Sequence, residues 1–287
     1  MAFRTVVISS HSKLEYSLNY LVFKTIDQVK RINLDEIQTL IIESTAVSIT
    51  SSLLCELVKR KIKVIFCDER KNPLFETIPY YGDSISYKRI SEQIEWSSYI
   101  KDAVWKEIVK EKIKQQAYAL KKKSNEGFII MMRFVDEVKN GDSTNREGHA
   151  AKYYFNRIFG EEFNRANEHK YNAYLNYGYS LLLSQFNKAI ISKGYLTQLG
   201  IHHKNTYNQF NLSCDLMEPF RPLVDRKVEK LTDNNFKEEL INMLSEMVTI
   251  NGQKQTLVNA ISIYTASVFN SINSGDVSVI KFIEDYE

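Results

Sequence analysis

The chain is poor in residues that force a backbone out of regular structure. Four prolines and ten glycines among 287 residues leave few obligatory turns, which argues against extended disorder. Its three cysteines, Cys55, Cys67 and Cys214, are odd in number and lack C-x-x-C spacing, so a disulfide framework or structural zinc site has little support and a reducing compartment fits. No apolar run approaches the ~20 residues that span a bilayer. The opening MAFRTVVISSHSK lacks the charged-then-apolar pattern of a secretory signal, and the expectation is a cytoplasmic protein without a membrane segment. Charge of one sign is scarce as well. A net charge of +3 permits an anionic partner without demanding one, so any nucleic-acid site must come from local patches.

What the chain does hold is aromatic residues, seventeen Tyr and fifteen Phe, within a composition that is 44% hydrophobic and 25% charged. That is the profile of a globular protein with large core anchors, long enough for two ordinary domains or one large one. The pattern changes near residue 80. Before it, TVVISS (5–10), KLEYSL (13–18), YLVFKTI (20–26), IQTLIIE (37–43) and IKVIFCD (62–68) are short, β-branched or aromatic, and often alternating, which predicts strands. Between them, Ser48 to Arg60 places Leu53, Leu54, Leu57 and Val58 at helical spacing, with Ser48 as the candidate cap. Antiparallel strands with one helix predict a small β-sandwich over 1–78.

Two prolines, a glycine and an Asp-Ser pair in NPLFETIPYYGDS mark a linker at 79–86. Beyond it the period is almost wholly 3.6. Trp105, Ile108, Val109, Ile113 and Ala117 recur within 96–120, and helical patterns follow at 124–139, 147–159, 168–193, 214–247 and 253–273. The fold expected is therefore α+β, a small N-terminal β-sandwich domain followed by a larger all-α domain over 87–287.

Three stretches of the helical part can carry chemistry. In NREGHAAKYYF (145–155), Glu147 falls in the first turn of a helix, where a solvated carboxylate favoured by the helix dipole is an equally ordinary explanation. In LGIHHKNTYNQFNLS (199–213), His202 and His203 are adjacent and point in different directions, so at most one is a ligand. Both can also be simply exposed. In LSCDLMEPFRPLVD (212–225), Asp215 and Glu218 match a capping-box variant. They also share a helix face three residues apart, with Arg221, Asp225 and Arg226 behind them and two prolines stiffening the backbone.

Taken together, EGHAAKYYF, Gly-Ile-His-His and, twelve residues after His203, Asp-Leu-Met-Glu-Pro-Phe-Arg-Pro resemble the CRISPR-associated protein 1 family. These are the integrases that insert new spacers into CRISPR arrays. The likeness extends to domain order and so over nearly the whole chain, and the short form without long insertions is most similar to type II systems. The resemblance implies that Glu147, His203 and Glu218 are catalytic and ligate Mg²⁺ or Mn²⁺, with Asp215 a secondary metal candidate. Two carboxylates and an imidazole suit such a cation chemically. The implied reaction joins the 3′-hydroxyl of captured foreign DNA to the CRISPR repeat by transesterification, without ATP, and the chain has no G-x-x-x-x-G-K-[ST] motif. The implied partners are DNA, a second copy paired through the N-terminal domain, CRISPR-associated protein 2, the type II effector nuclease and its accessory DNA-binding ring protein.

Local basic patches must then hold the DNA. Arg146, Lys152, Arg157, Arg221 and Arg226 flank the candidate ligands. Lys101 to Lys123 contains eight lysines against three acids and ends in Lys121, Lys122 and Lys123, a run that reads equally as a solvated helix face. Two other functions fit the residue pattern: a noncatalytic DNA-binding scaffold whose acidic pairs cap helices, and a general branched-DNA repair nuclease.

Overall fold

A computed structural model describes residues 4–80, 85–121, 123–231 and 235–284. The chain packs as two compact units that divide after Tyr80, with the short segment Ile241–Ser245 grouped with the first.

The first unit contains strands β1 (Arg4–Ile8), β2 (Ser12–Ser17), β3 (Tyr20–Lys24), β4 (Val29–Asn33), β5 (Ile37–Ile42) and β6 (Val47–Ile49). Helix α1 (Ser51–Lys59) and strands β7 (Lys63–Cys67) and β8 (Pro73–Glu76) follow. One sheet has the order β1-β5-β7-β8 and the other β4-β3-β2-β6. The expected β-rich N-terminal part is present, but its strands are not all antiparallel: β1 and β7 both run parallel to β5. The cause is readable in β5, IQTLII, which is buried at every position, as a strand covered on both faces must be. The link from β5 to β7 includes α1, the kind of crossover that parallel pairing requires. Thr50, not Ser48, caps α1, its hydroxyl accepting from the Leu53 amide at 3.4 Å. Leu53 and Leu57 then enter a core with Leu14, Leu21, Leu34, Ile37, Leu40 and Val64.

The second unit is mostly helical. It is built from α2 (Ser86–Glu95), α3 (Ser98–Lys121), α4 (Asn125–Glu137), α5 (Arg146–Phe159), α6 (Lys170–Ile191), α7 (Asn211–Met217) and α8 (Arg221–Glu229), with α10 (Leu257–Ser274) near its end. Helix α9 (Phe236–Met243) lies across the division between the units. Of the predicted linker, residues 81–84 lie outside the described residues, and α2 begins at Ser86. Helix α3 packs against α4, α5, α7, α8 and α10, so it is buried on most of its circumference, including Val104, Trp105, Ile108, Val109, Ile113 and Ala117.

Two features depart from the all-α expectation. The helical pattern expected over 214–247 is interrupted after α7 by a 3₁₀ turn, Glu218–Phe220, before α8. Pro219 and Pro222 are the second residues of that turn and of α8, within the first turn, where a missing N–H costs little. A two-stranded hairpin, β9 (Met247–Ile250) with β10 (Gln253–Thr256), precedes α10. It reverses at Asn251-Gly252, both with positive φ, the Asn-Gly turn that suits the twist of a hairpin.

Close approach of α6 and α8 sets the wall on which the site is built. A Cβ added to Gly178 would lie 2.5 Å from Val224 Cγ1, so only glycine lets the helices come this near. Gly178→Ala is expected to lower stability by about 1–3 kcal/mol through overpacking. Urea unfolding measures it, with the Gly178→Ala/Val224→Ala double variant recovering part of the loss.

Candidate active site

The break between α7 and α8 places Glu218 at the first residue of the 3₁₀ turn, where its two oxygens serve different partners. Oε2 accepts from Lys112 Nζ of α3, and Oε1 accepts from Arg221 Nε at 2.8 Å. Glu147, in the first turn of α5, accepts from the same Lys112 Nζ. The chain thus gathers two candidate ligands, distant in sequence, around one ammonium. The Lys112 and Glu218 side chains are buried, at 8% and 6% exposure, whereas Glu147 reaches the rim at 31%. Burial by itself would raise the Glu218 carboxyl, but Arg221 and Lys112 outweigh it and hold it down at about 2. Burial likewise works against charge on Lys112, and the carboxylates of Glu218 and Glu147 reverse the balance so that its pKa is raised.

Asp215 is turned to a different task. Fully buried in α7, it accepts the backbone N–H groups of Ile201 at 2.6 Å, His202 at 3.0 Å and His203 at 3.1 Å. His203 Nδ1 is hydrogen-bonded to its Oδ1 at 2.5 Å. Wrapping the loop this closely requires a residue without a side chain at Gly200, where a Cβ would meet His203 O at 2.4 Å and Asp215 Oδ2 at 2.7 Å. The capping-box reading is therefore corrected: Asp215 lies inside α7, not at its start, and Glu218 bonds Lys112 and Arg221. His202 stacks flat on Trp105 with ring centres 4.3 Å apart, whereas His203 meets that ring edge-on at 5.8 Å. The hydrogen bond to Asp215 raises the His203 pKa, burial opposes the rise, and the charges of Asp215, Glu218 and Glu147 add to it.

Glu147, Glu218 and Lys112 line a cavity of about 210 Å³, together with Arg165, Arg221 and Asp225. His203 lines a separate groove of about 460 Å³ with Gly200, Lys204 and Asn205. Among the described residues, no three His, Cys, Asp or Glu side chains are gathered closely enough to close a cation site by themselves. Also on the cavity wall, Tyr179 OH donates to Asp225 Oδ1 at 2.5 Å, while the buried Oδ2 has no hydrogen-bond partner among the described residues. Burial pushes the Asp225 carboxyl up to about 6.

Of the basic residues expected to hold DNA, only Arg221 is among the cavity-lining residues described. Arg146 pairs with Glu137 at 3.2 Å and Lys123 with Glu229 at 2.5 Å. The Arg157 guanidinium lies 3.7 Å from the Tyr153 ring centre, and Arg226 bonds Gln115 at 3.4 Å. Lys121 sits over Tyr118 and Phe128, Lys152 is exposed, and Lys122 lies outside the described residues.

The sequence reasoning missed Lys112 by counting it within a basic run. A signal existed, because Lys112 falls in the register of Trp105, Ile108 and Val109 and just before Ile113, and a lysine in an apolar stripe is buried only when paired. Asp142 was missed too. It accepts the Arg146 and Glu147 amides at 2.8 and 3.0 Å, thereby capping α5 and leaving the Glu147 carboxylate free for Lys112. No spacing rule points to Arg165 or Tyr179.

Comparison with known proteins bears on all of this chain. The family model for CRISPR associated protein Cas1 matches residues 5–258. The CRISPR-associated endonuclease Cas1 of Neisseria meningitidis serogroup C (strain 8013) is 30% identical over 99% of this chain and 97% of its own length. Among solved structures, a casposase bound to integration product superposes with a TM-score of 0.76 at 19% identity, covering 96% of this chain and 93% of that one. A chain of a Cas6-RT-Cas1–Cas2 complex superposes with a TM-score of 0.73 at 18% identity, and this chain spans 36% of its length.

Two outcomes follow from the charges. Lys112→Met leaves two carboxylates facing one another without their cation, and a loss of about 3 kcal/mol is expected in chemical denaturation, partly restored by adding Glu147→Gln. For Asp225 the folded carboxyl titrates near 6 and the unfolded one near 4. The unfolded chain therefore ionises first, and stability is lost as pH rises from about 4 to 6, then levels. Asp225→Asn removes that loss, so its stability relative to the parent should climb by about 2–3 kcal/mol across this window, as read from melting temperature against pH.

Proposed function

The chain belongs to the Cas1 family of CRISPR-associated proteins, and we propose that it is a divalent-metal-dependent DNA integrase and endonuclease of spacer acquisition. It joins the 3′-hydroxyl ends of captured foreign DNA to the CRISPR repeat. One P–O bond forms as another breaks, so the joining step needs no ATP. The observation that carries this reading is the convergence of Glu147 and Glu218 on a single buried positive charge.

That donor set fits Mg²⁺ or Mn²⁺. Both carboxylates are already directed at one cation, and Glu218 is held ionised. His203 uses Nδ1 on Asp215, the carboxylate–imidazole arrangement that leaves Nε2 for a metal and fixes the ring. Glu147, His203 and Glu218 would hold the ion, with Asp215 acting through His203. When bound there, the ion polarises the phosphodiester and stabilises charge on the leaving oxygen. The other side chains have positioning work. Arg221 steadies Glu218, Lys112 keeps both carboxylates in register, and Asp142 anchors the first turn of α5.

The partners extend the same reading. DNA and CRISPR-associated protein 2 are supported by likeness to a casposase bound to integration product and to a Cas1–Cas2 assembly. Exposed Leu74, Phe75 and Ile78, on and just beyond strand β8 at the edge of its sheet, support pairing of the first unit with a second copy. Kinship with type II systems adds the effector nuclease and its accessory DNA-binding ring protein. No helix of the described residues is long and apolar enough to cross a membrane, and we place the protein in the cytoplasm with the DNA it acts on.

Strand joining to a repeat-containing target tests the proposal. With Mn²⁺ or Mg²⁺ the parent should join a 3′-hydroxyl duplex, and chelation or Glu218→Ala should lower the rate by about 100-fold. Equal joining by parent and variant removes the catalytic assignment. Equal cleavage of branched DNA without a repeat would favour the repair-nuclease reading.

A further inference from the structure

Among the described residues, three cations border the cavity that holds Glu147 and Glu218, and they are not equivalent. Lys112 and Arg221 are committed to the carboxylates. Arg165, from the segment between α5 and α6, donates from Nη1 to Asn172 Oδ1 at 2.6 Å and from Nη2 to Asn176 Oδ1 at 2.7 Å. Both partners are neutral amides one turn apart on α6, and Arg165 makes no ion pair among the described residues. Amide oxygens fix a guanidinium without neutralising it, and two bonds leave most of its five N–H donors unused.

The support behind Arg165 is built into the fold. Asn172 is buried, and its Nδ2 donates to Asn164 O at 2.8 Å and Asn167 O at 2.7 Å, closing the loop that carries the arginine. The Tyr179 ring lies 5.5 Å from the Arg165 guanidinium carbon and 4.5 Å from that of Arg221. Tyr179 is itself tied to Asp225. Two guanidinium groups are thus set against one aromatic ring on the wall of the cavity; Arg221 is ion-paired with Glu218, and Arg165 feels the Asp225 carboxyl across the cavity without forming a close ion pair among the described residues. A charged, oriented fork of donors beside two carboxylates is suited to an anion carrying a tetrahedral oxygen group.

On this basis we propose that Arg165 contacts a backbone phosphate of the DNA strand held at the Glu147–Glu218 cavity. The inference rests on the integrase reading for the identity of the anion, though not for the contact itself. Arg165 lies outside the basic residues that the sequence pattern selected. It positions the strand, and the carboxylates carry the chemistry.

The experiment compares parent, Arg165→Gln, Arg165→Lys and Glu218→Ala by fluorescence anisotropy on a duplex with free 3′-hydroxyl ends, across a salt series, alongside strand joining and melting temperature. Arg165→Gln keeps hydrogen-bonding capacity and loses the charge. It should bind about tenfold more weakly, with a salt slope shallower by about 0.9 for one lost phosphate contact. Arg165→Lys should keep the slope of the parent and part of its affinity. Arg165→Gln binding with the parent's affinity and slope overturns the proposal. So does an equal loss in both variants that tracks a fall in melting temperature, the mark of a loop-closing role alone. If the parent binds but joins nothing while the Arg165 slope change persists, the integrase reading fails and the phosphate contact stands.

Discussion

One ammonium group decides where three segments of the second unit meet. Lys112 projects from a helix packed on most of its sides, and its charge offsets the repulsion between Glu147 and Glu218, which both pair with it. Taking a lysine and a carboxylate out of water costs several kcal/mol per ion, and only close pairing with further hydrogen bonds offsets that. Arg221 supplies part of the remainder for Glu218, and Asp142 fixes the backbone that presents Glu147. The cluster is thus a registration device. It fixes the rotation of α3, the first turn of α5 and the turn after α7 relative to one another, where apolar packing alone would tolerate slippage.

The proline-marked break lets neighbouring acids face unlike surroundings. Asp215 ends its life inside α7 with its oxygens filled by three amides and an imidazole, while Glu218, three residues on, opens a new turn and faces α3. A continuous helix would have put both carboxylates on one face, repelling each other. The 3₁₀ turn Glu218–Phe220 separates their duties with few added residues.

Much of this was legible from residue order, and for definite reasons. Apolar recurrence at Trp105, Ile108, Val109, Ile113 and Ala117 marked α3 because a buried helix needs that register. The exchange of β-branched runs for helical periods marked the change in architecture near residue 80. Parallel pairing of β1, β5 and β7 was not legible, since a short apolar run carries no record of its neighbour's direction. The Asn251-Gly252 turn fell between two expected helical patterns, 214–247 and 253–273, and its strand β10 was counted within the second of them. In the site, Glu147, His203, Glu218 and Asp215 were each selected through motifs, but neither the His203–Asp215 bond nor the lysine shared by Glu147 and Glu218 was. A lysine's sequence neighbours do not reveal which carboxylates, 35 and 106 positions away, will surround it.

The stack of His202 on Trp105 has an optical consequence. The chain has only two tryptophans, and one of them lies flat against an imidazole on the loop that Asp215 gathers. Its indole emission is sensitive to that contact, so the loop's closure is written into the intrinsic fluorescence of the protein, with Trp96 as an internal standard elsewhere in the same unit.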